Sequence, residues 1–139
     1  MLTYRFIKKA DAKTLNQIIS LYKNQGWWRK RDKPALAAKI LKNSHCFLLA
    51  LDRGRAIGIG RAISDRASDA YIQDITILPD YRSLGIGSAI VKKIKKRLKT
   101  DGIKWIALIA QNNSRDFYGK IGFKAIKRAH PMMLKENHV

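Results

Sequence analysis

The chain has 139 residues, of which 46% are hydrophobic, enough for one domain with a buried core. Its charge is unbalanced, since 29 Lys and Arg residues face only 10 Asp and Glu residues, giving a formal net charge of +19. High charge alone does not predict disorder, because disorder also requires a shortage of apolar residues. Cys46 is the only cysteine, which excludes a disulfide framework and any zinc site built from cysteine pairs. We expect a single globular domain, residues 1–139, that attracts anions.

No segment is typical of export or of a membrane. The run from Cys46 to Leu51, which no uninterrupted apolar run exceeds in length, is too short to span a bilayer. The first five residues, MLTYR, lack the basic-then-apolar layout of a signal peptide. His45, His130 and His138 show no metal-ligand spacing. We therefore expect a cytoplasmic protein without a membrane partner or a metal.

The chain begins with a predicted strand and two predicted helices. Alternation over residues 2–7 predicts the strand, and helical spacing over about residues 11–25 predicts a helix that ends at Gly26. After a loop, Asp32 and Pro34 are typical of the start of a second, short helix. The apolar residues whose spacing predicts these two helices are Leu15, Ile18, Ile19, Tyr22, Leu36 and Ile40.

The remainder of the chain predicts three strands, a helix with isoleucines one turn apart, a buried strand, a short helix and two closing strands. A turn at residues 52–54 joins the first two of these strands as a hairpin. Because hairpins alternate with helical crossovers, we expect a mixed α/β sheet with helices on both faces. The predicted strands are 45–51, 55–64, 70–78, 104–110, 123–127 and 132–135, and the predicted helices are 85–99 and 114–121.

Residues 75–88, ITILPDYRSLGIGS, connect a strand to a helix through two closely spaced glycines. Gly85 and Gly87 carry no Cβ, so an anion can approach the backbone closely. The first N–H groups of a helix have no carbonyl partners and lie at the positive end of its dipole. Arg82 adds a charged, forked donor. The stretch predicts a phosphate cradle, with a turn-and-packing role for the glycines as the alternative.

Two familiar nucleotide-binding loops do not fit this stretch. A P-loop requires Lys followed by Ser or Thr after its last glycine, and here Gly87 precedes Ser88 and Ala89. The dinucleotide fingerprint requires a small residue at the position of Ile90.

The pattern Arg82-x-x-Gly85-x-Gly87 resembles the coenzyme A loop of the GNAT superfamily of N-acetyltransferases. Residues 117–123, FYGKIGF, are similar to that family's Phe-Tyr-x-x-x-Gly-Phe segment. The resemblance implies a mostly antiparallel mixed sheet that splays between its fourth and fifth strands. The chain looks most similar to the small single-domain serotonin (arylalkylamine) N-acetyltransferase branch, through residues 26–27, 74, 116–118 and 122–123.

The resemblance also implies acetyl-CoA as cosubstrate. Its pantetheine would enter the splay and bond to the main chain, and its pyrophosphate would lie on the amides of the glycine turn. The cofactor-binding residues implied in this way are Ile75, Thr76, Ile77, Arg82, Ser83, Leu84, Gly85, Ile86, Gly87, Ser88, Asn113, Phe117 and Lys120.

Two proton transfers need assignment. The resemblance places Tyr118 where the family has its general acid, the alternative being an aromatic core residue. Tyr71 and Gln73 occupy positions where many members carry a Glu or His base, and neither is a base near neutral pH. Asp74 is the nearest carboxylate, although strand alternation turns it away from Gln73. It could orient the ammonium or act through water, or be ion-paired to a lysine or hydrogen-bonded as a structural residue.

The acceptor pocket is predicted from aromatic residues. In this family the loop carrying Trp27 and Trp28 overhangs the pocket, and with Tyr71 and Gln73 it would favour a flat or apolar amine. The alternative is that one Trp plugs the core and the other packs on the loop.

Six basic residues between positions 92 and 99 crowd the face of one helix. Such a face is commonly only the solvated side of an amphipathic helix. The charge would nevertheless steer coenzyme A and could recruit nucleic acid or ribosomes nonspecifically, and it disfavours polyamines as substrates.

We expect direct acetyl transfer to a primary amine, most simply a small arylalkylamine such as serotonin or tryptamine, by a monomer or homodimer. One rival is acetylation of a protein N-terminus, a lysine or aminoacyl-tRNA. A second rival is not an enzyme: a module that senses coenzyme A or binds nucleic acid without catalysis. This rival stays open because position 73 carries Gln and not a carboxylate.

Overall fold

The structure, a computed structural model, describes residues 1–135, so that His138 lies outside the described residues. It divides the chain into two units, Met1–Leu108 and a second unit that begins at Ile109, and each is described by itself. Among the described residues no helix is long and apolar enough to cross a membrane.

The first unit is built on a five-stranded sheet with the strand order β1-β2-β3-β4-β5. The pairs β1–β2, β2–β3 and β3–β4 are antiparallel, whereas β4 and β5 are parallel. This confirms the predicted mixed sheet. In chain order the elements are β1 (Leu2–Phe6), α1 (Ala12–Asn24), α2 (Pro34–Asn43), β2 (Cys46–Asp52), β3 (Arg55–Ser64), β4 (Asp69–Ile77), a 3-10 turn (Pro79–Tyr81), α3 (Ile86–Thr100) and β5 (Trp105–Leu108).

The first two helices begin in different ways. The Asp11 carboxylate caps α1 by accepting the Thr14 N–H at 2.8 Å. The expectation that Asp32 begins α2 as its capping residue is wrong. Lys33 occupies the capping position, and the Asp32 carboxylate accepts the Arg29 N–H at 2.7 Å. Pro34 is the first residue of α2, where its missing N–H costs nothing.

The buried face of α2 is also shifted from the expected one. Ala37 and Leu41 are buried, whereas Leu36 is 39% exposed and Ile40 is partly buried. Both pairs are four residues apart, so helical periodicity allows either stripe and tertiary packing selects one. In α1 the expected residues Ile18, Ile19 and Tyr22 are buried, together with Leu21.

Helices cover both faces of the sheet, as predicted. On one face α1 and α2 pack Ile18, Leu21 and Leu41 against Phe47 and Leu49 of β2. On the other face α3 contributes the expected line Ile86, Ile90, Ile94 and Leu98, all buried.

Glycines in β3 allow α3 to approach the sheet closely. A Cβ built at Gly60 would lie 2.6 Å from Ile90 Cγ2 and 2.5 Å from Ile75 Cδ1. A Cβ at Gly58 would lie 2.7 Å from Ile77 Cδ1. These two positions therefore set the packing distance between α3, β3 and the end of β4.

The sheet splays where it was predicted to. The register between β4 and β5 runs from Asp69 opposite Trp105 to Ile72 opposite Leu108 and stops there, while β4 continues to Ile77. The expectation that β5 is a buried strand is wrong, because Trp105 is 43% exposed and the strand is paired on one side only within Met1–Leu108.

The second unit contains one short helix, α4 (Arg115–Gly119), among its described residues. The predicted strands at 123–127 and 132–135 are not formed in the described part of the chain. Ile126 is 61% exposed and Met132 is 92% exposed. Without burial of these apolar side chains, short alternation alone does not stabilise a strand.

Candidate active site

A β-bulge in β4 lies just beyond the last residue paired with β5. Gln73 is opposite Arg61 and Thr76 is opposite Ile59, so two residues of β4 stand opposite the single residue Gly60 of β3. The first of the two, Asp74, has a φ of 59°, a left-handed conformation that Asp tolerates better than most residues. The expectation that alternation turns Asp74 away from Gln73 is therefore wrong, because the bulge interrupts the alternation.

The Asp74 carboxylate is held by two donors from other elements. Arg61 Nε donates to Asp74 Oδ2 at 2.6 Å, and the Tyr22 hydroxyl donates to the same oxygen at 2.8 Å. The Arg61 and Asp74 side chains are only 16% and 20% exposed. Burial, followed by the charge of Asp74, raises the pKa of Tyr22, so its hydroxyl stays a donor. An ion pair between Asp74 and a lysine is one of the alternatives that the sequence leaves open. In the structure Asp74 is ion-paired, but with Arg61.

Past this bulge, β4 has no strand partner on its β5 side within Met1–Leu108. Ile75 and Ile77 direct their side chains toward α3, next to Gly60 and Gly58. Thr76 is 3% exposed, and its Oγ1 has no hydrogen-bond partner among the described residues. The main chain of residues 73–77, which lacks a strand partner on this side within Met1–Leu108, can accept an extended ligand as an added strand.

The glycine turn forms a row of unpartnered amides. Ser83 and Gly85 have φ values of 64° and 81°, and Gly85 is the residue that precedes α3. Within residues 1–135, no N–H group from Ser83 to Ser88 donates to a protein acceptor, and no side chain caps the helix. Such a concave set of N–H groups at the start of a 15-residue helix is suited to an anion.

Side chains hold this turn in place. Arg82 Nε donates to the Ile77 carbonyl oxygen at 3.1 Å, which leaves the two terminal nitrogens of its exposed guanidinium without a partner in the described part of the chain. The Tyr81 hydroxyl donates to Asp52 Oδ2 at 2.6 Å, joining the turn to the end of β2. Of the other predicted cradle residues, Leu84 is 65% exposed, Ile86 is buried, and Gly87 and Ser88 are partly buried in the first turn of α3.

The predicted acceptor residues fall into two groups. Trp28 is partly buried against the core and Trp27 is 41% exposed, with ring centroids 6.3 and 6.0 Å from that of Tyr22. Tyr22 thus connects both indoles to Asp74. Tyr71 is 42% exposed and packs edge-to-face on Trp105 at 5.3 Å. The site therefore offers aromatic surface next to the bulge and at the start of the splay.

The second unit carries the remaining predicted residues. Tyr118, in α4, is partly buried and packs edge-to-face on Phe117 at 4.9 Å and on Phe123 at 6.0 Å. Its hydroxyl has no hydrogen-bond partner in residues 1–135, and burial raises its pKa. Asn113 has a φ of 61°, and Lys120 is exposed at the end of α4. Tyr118 is therefore protonated at neutral pH and able to donate.

Sequence reasoning missed Arg61 and Trp105. A lone arginine within the otherwise apolar segment AIGIGRAI was a usable signal, because a charge in a buried strand requires a partner. Trp105 gave no such signal, since an aromatic residue at the start of a strand is ordinary.

His45 and Cys46, left without a role by the sequence, lie at the start of β2. His45 Nδ1 is 2.6 Å from Ser64 Oγ, and its Nε2 is 2.9 Å from Asp101 Oδ2, which also accepts from Arg97 Nε at 3.1 Å. These contacts join β2, β3 and the end of α3. Cys46 is buried, and desolvation raises the pKa of its thiol to about 11.

Comparison with known proteins identifies the family. Residues 11–131 match the family model described as "Acetyltransferase (GNAT) domain". An uncharacterized N-acetyltransferase, ycf52 of Porphyra purpurea, is 31% identical over 121 residues, which cover 82% of this chain and 68% of that protein. Histone acetyltransferase TAP1 of Glycine max is 34% identical over 110 residues, which cover 70% of this chain but only 47% of that protein.

Solved structures agree with the sequence matches. A probable acetyltransferase of methicillin-resistant Staphylococcus aureus has a TM-score of 0.80 and 27% identity, with 98% of this chain and 100% of that chain covered. GNAT enzymes use acetyl-CoA as the acetyl donor. Sequence match, splayed sheet and fold likeness together show that the chain belongs to the GNAT superfamily of acetyltransferases.

Proposed function

We propose that this acetyltransferase moves an acetyl group directly from acetyl-CoA to a primary amine while both are bound. The observation that carries the proposal is the row of N–H groups from Ser83 to Ser88 that lack acceptors within the described residues. A diphosphate supplies the negative oxygens that such donors need. The terminal nitrogens of Arg82 add charge-assisted donors to the same ligand.

The unpaired edge of β4 supports the placement of the rest of the donor. A pantetheine chain carries amide groups, and these can bond to main-chain groups near Ile75 and Ile77 in the manner of an added strand. A backbone N–H near Ile77 could then stabilise the oxyanion that develops on the thioester oxygen. Holding thioester and amine together supplies much of the catalysis, because a thioester is already an activated acyl donor.

The proposed reaction forms one bond and breaks one bond. The amine nitrogen attacks the thioester carbon, the C–N bond forms, and the C–S bond breaks as the tetrahedral intermediate collapses. The departing thiolate takes a proton from Tyr118, which we assign as general acid, and the proton that the nitrogen loses as the amide forms returns through water to Tyr118. The raised pKa and the unpartnered hydroxyl of Tyr118 support this role.

The proton of the incoming ammonium goes to water rather than to a dedicated side chain. Tyr71 and Gln73 carry neither a carboxylate nor an imidazole, and Asp74 Oδ2 already accepts two hydrogen bonds. A primary amine with a pKa of about 10 provides a small neutral fraction at pH 7 that grows with pH. Water near Gln73 can carry the proton away.

For the acceptor we propose a small arylalkylamine. The exposed indole of Trp27 and the exposed ring of Tyr71 offer flat apolar surfaces on the side of the sheet that carries Asp74. The rival is a protein amine, since one relative is described as a histone acetyltransferase. The net charge of +19 opposes approach of a strongly basic tail.

The deciding experiment is thiol release from acetyl-CoA across a panel of acceptors. The panel contains tryptamine, serotonin, a neutral peptide N-terminus, a histone-tail peptide and aminoacyl-tRNA. We expect release with the arylalkylamines that increases with pH. Preference for a peptide or for aminoacyl-tRNA would show that the acceptor is a macromolecular amine and not an arylalkylamine. If the protein binds coenzyme A but no amine in the panel causes thiol release from acetyl-CoA, the protein is a coenzyme A sensor and not an enzyme.

A further inference from the structure

We propose that Arg61 and Asp74 together are positioning residues: their ion pair holds the β4 bulge in the conformation that presents residues 75–77 to the donor. This inference rests on the proposed function of the β4 edge. Neither residue needs to touch a reacting atom, because both act through the backbone of β4.

Donors from two other elements converge on one carboxylate oxygen of β4. Asp74 Oδ2 accepts from Arg61 of β3 at 2.6 Å and from Tyr22 of α1 at 2.8 Å. Arg61 is itself anchored, since its Nη1 donates to Ser44 Oγ at 3.3 Å, and Ser44 is fully buried. The Ser44 hydroxyl in turn donates to the Ile40 carbonyl oxygen at 2.7 Å. The bulge is thus tied to α1, α2 and β3 at once.

The ion pair is better explained by geometry than by stability. Burying two charges costs desolvation that their attraction often only offsets, so a buried pair is weak evidence for stabilisation. Here the pair fixes the one residue of β4 that has a left-handed φ. A bulge re-aims the residues that follow it, and this one lies immediately before the unpaired edge.

Loss of the bulge would change the face of every later residue in β4. Without the bulge, Asp74 would pair with Gly60 and each later residue of β4 would shift by one position against β3, so side chains beyond this point would exchange faces. Ile75 and Ile77, now directed toward Gly60 and Gly58, would turn away from α3. The main-chain groups that face the splay would be exchanged as well. The ion pair therefore controls which N–H and C=O groups meet the donor.

The first test separates turnover from donor binding. In Arg61→Gln we expect kcat for acetyl transfer to fall at least tenfold. The Kd for coenzyme A should rise by a smaller factor, because the pantetheine contacts at residues 75–77 are altered whereas the amides 83–88 are untouched. The matched control is Arg97→Gln, which removes another Arg–Asp pair of the first unit, 3.1 Å from Asp101, and should leave kcat unchanged. An unchanged kcat in Arg61→Gln overturns the proposal.

The second test distinguishes positioning from base catalysis. Asp74→Asn keeps a side chain that tolerates the left-handed conformation but removes the charge. We expect its pH profile to keep the wild-type shape at a lower rate, and the double variant with Arg61→Gln to be no slower than the slower single variant. Loss of a pH-dependent limb in Asp74→Asn, or additive effects in the double variant, would contradict the proposal. Arg61→Lys should restore part of the rate.

The third test does not depend on activity. Amide hydrogen exchange is measured on the wild type and Arg61→Gln, each saturated with coenzyme A. We expect faster exchange in Arg61→Gln at residues 73–77 but not at 83–88. Equal exchange at 73–77 would overturn the role of the ion pair even in an active enzyme. Wild-type protein that releases no thiol with any amine would instead overturn the proposed function, and faster exchange would still support the ion pair's role.

Discussion

Ile72 and Leu108 are the last pair between β4 and β5, and three features of the candidate site follow Ile72 along the chain. The bulge at Asp74 comes two residues later, the unpaired edge ends at Ile77, and the unpartnered amides begin at Ser83. In the proposed donor site, a single continuous segment therefore supplies both the edge for an extended chain and the cradle for its anionic end.

The glycine that precedes α3 gives the most direct test of the cradle. Gly85 has a φ of 81°, and a Cβ built there would meet nothing within 4 Å. In Gly85→Ala the left-handed conformation costs about 1 kcal/mol, and the methyl group intrudes on the space an anion would use. We expect the Kd for coenzyme A, measured by calorimetry, to rise at least tenfold.

Gly54 provides the matched control for this substitution. It has a φ of 83° in the turn between β2 and β3, and its Cβ would likewise meet nothing within 4 Å. Gly54→Ala should lower the melting temperature about as much as Gly85→Ala and leave coenzyme A binding unchanged. If both variants bind coenzyme A as the wild type does, the cradle is not the binding site.

Tyr118 is tested by removing only its hydroxyl. In Tyr118→Phe the ring contacts with Phe117 and Phe123 remain, so the fold and coenzyme A affinity should be retained. A lost general acid typically lowers the rate by about 10²- to 10⁴-fold, and we expect steady-state kcat to fall within that range. A variant that turns over as fast as the wild type removes Tyr118 from the mechanism.

The pH dependence follows from the two groups that exchange protons. The amine must be neutral to attack, so log(kcat/KM) should rise with pH until the pH reaches the amine's pKa of about 10. Tyr118 must be protonated, and burial raises its pKa above the ordinary 10.0, so it does not limit the rate below that pH. A falling limb below pH 9 in the rate profile would show that the acid is another group.

Regular elements of the first unit could be predicted from sequence, because hydrophobic periodicity and glycine turns are local signals. The glycine turn was predicted from its own residues, Arg82, Gly85 and Gly87, whereas the splay followed from the family resemblance. The bulge at Asp74 could not be predicted, because it depends on Arg61 and Tyr22, which are distant in the sequence but adjacent in the fold. The strands expected at 123–127 and 132–135 failed for the same reason, since a strand needs a partner that alternation does not specify.

Packing between α3 and the sheet is tested at Gly60. A Cβ there would lie 2.5 Å from Ile75 Cδ1 and 2.6 Å from Ile90 Cγ2, both closer than real contacts allow. We expect Gly60→Ala to destabilise the fold by about 1–3 kcal/mol in urea denaturation, as overpacked cores do. Gly119→Ala, where a Cβ would meet nothing within 4 Å, should be neutral. Equal stability of Gly60→Ala and wild type would mean that α3 can move away from the sheet freely.

The basic face of α3 gives the last prediction, which concerns nucleic acid. Lys92, Lys93, Lys96 and Lys99 are exposed, α3 contains no acidic residue, and no salt bridge engages these four lysines within the described residues. Each lysine that neutralises a phosphate releases counterion, so four contacts predict a slope of about −3 for log K against log salt with single-stranded RNA.

Binding of a fluorescent single-stranded RNA between low and physiological salt measures this slope. Replacing Lys92 and Lys96 by Glu should weaken binding and flatten the slope. Replacing Lys13 and Lys23 by Glu, an equal charge change on α1, should have a smaller effect. The effect of the α3 variant should be independent of RNA sequence, because phosphate contacts carry no base information. Salt-insensitive binding, or equal losses in the two variants, would show that this face of α3 is only solvated.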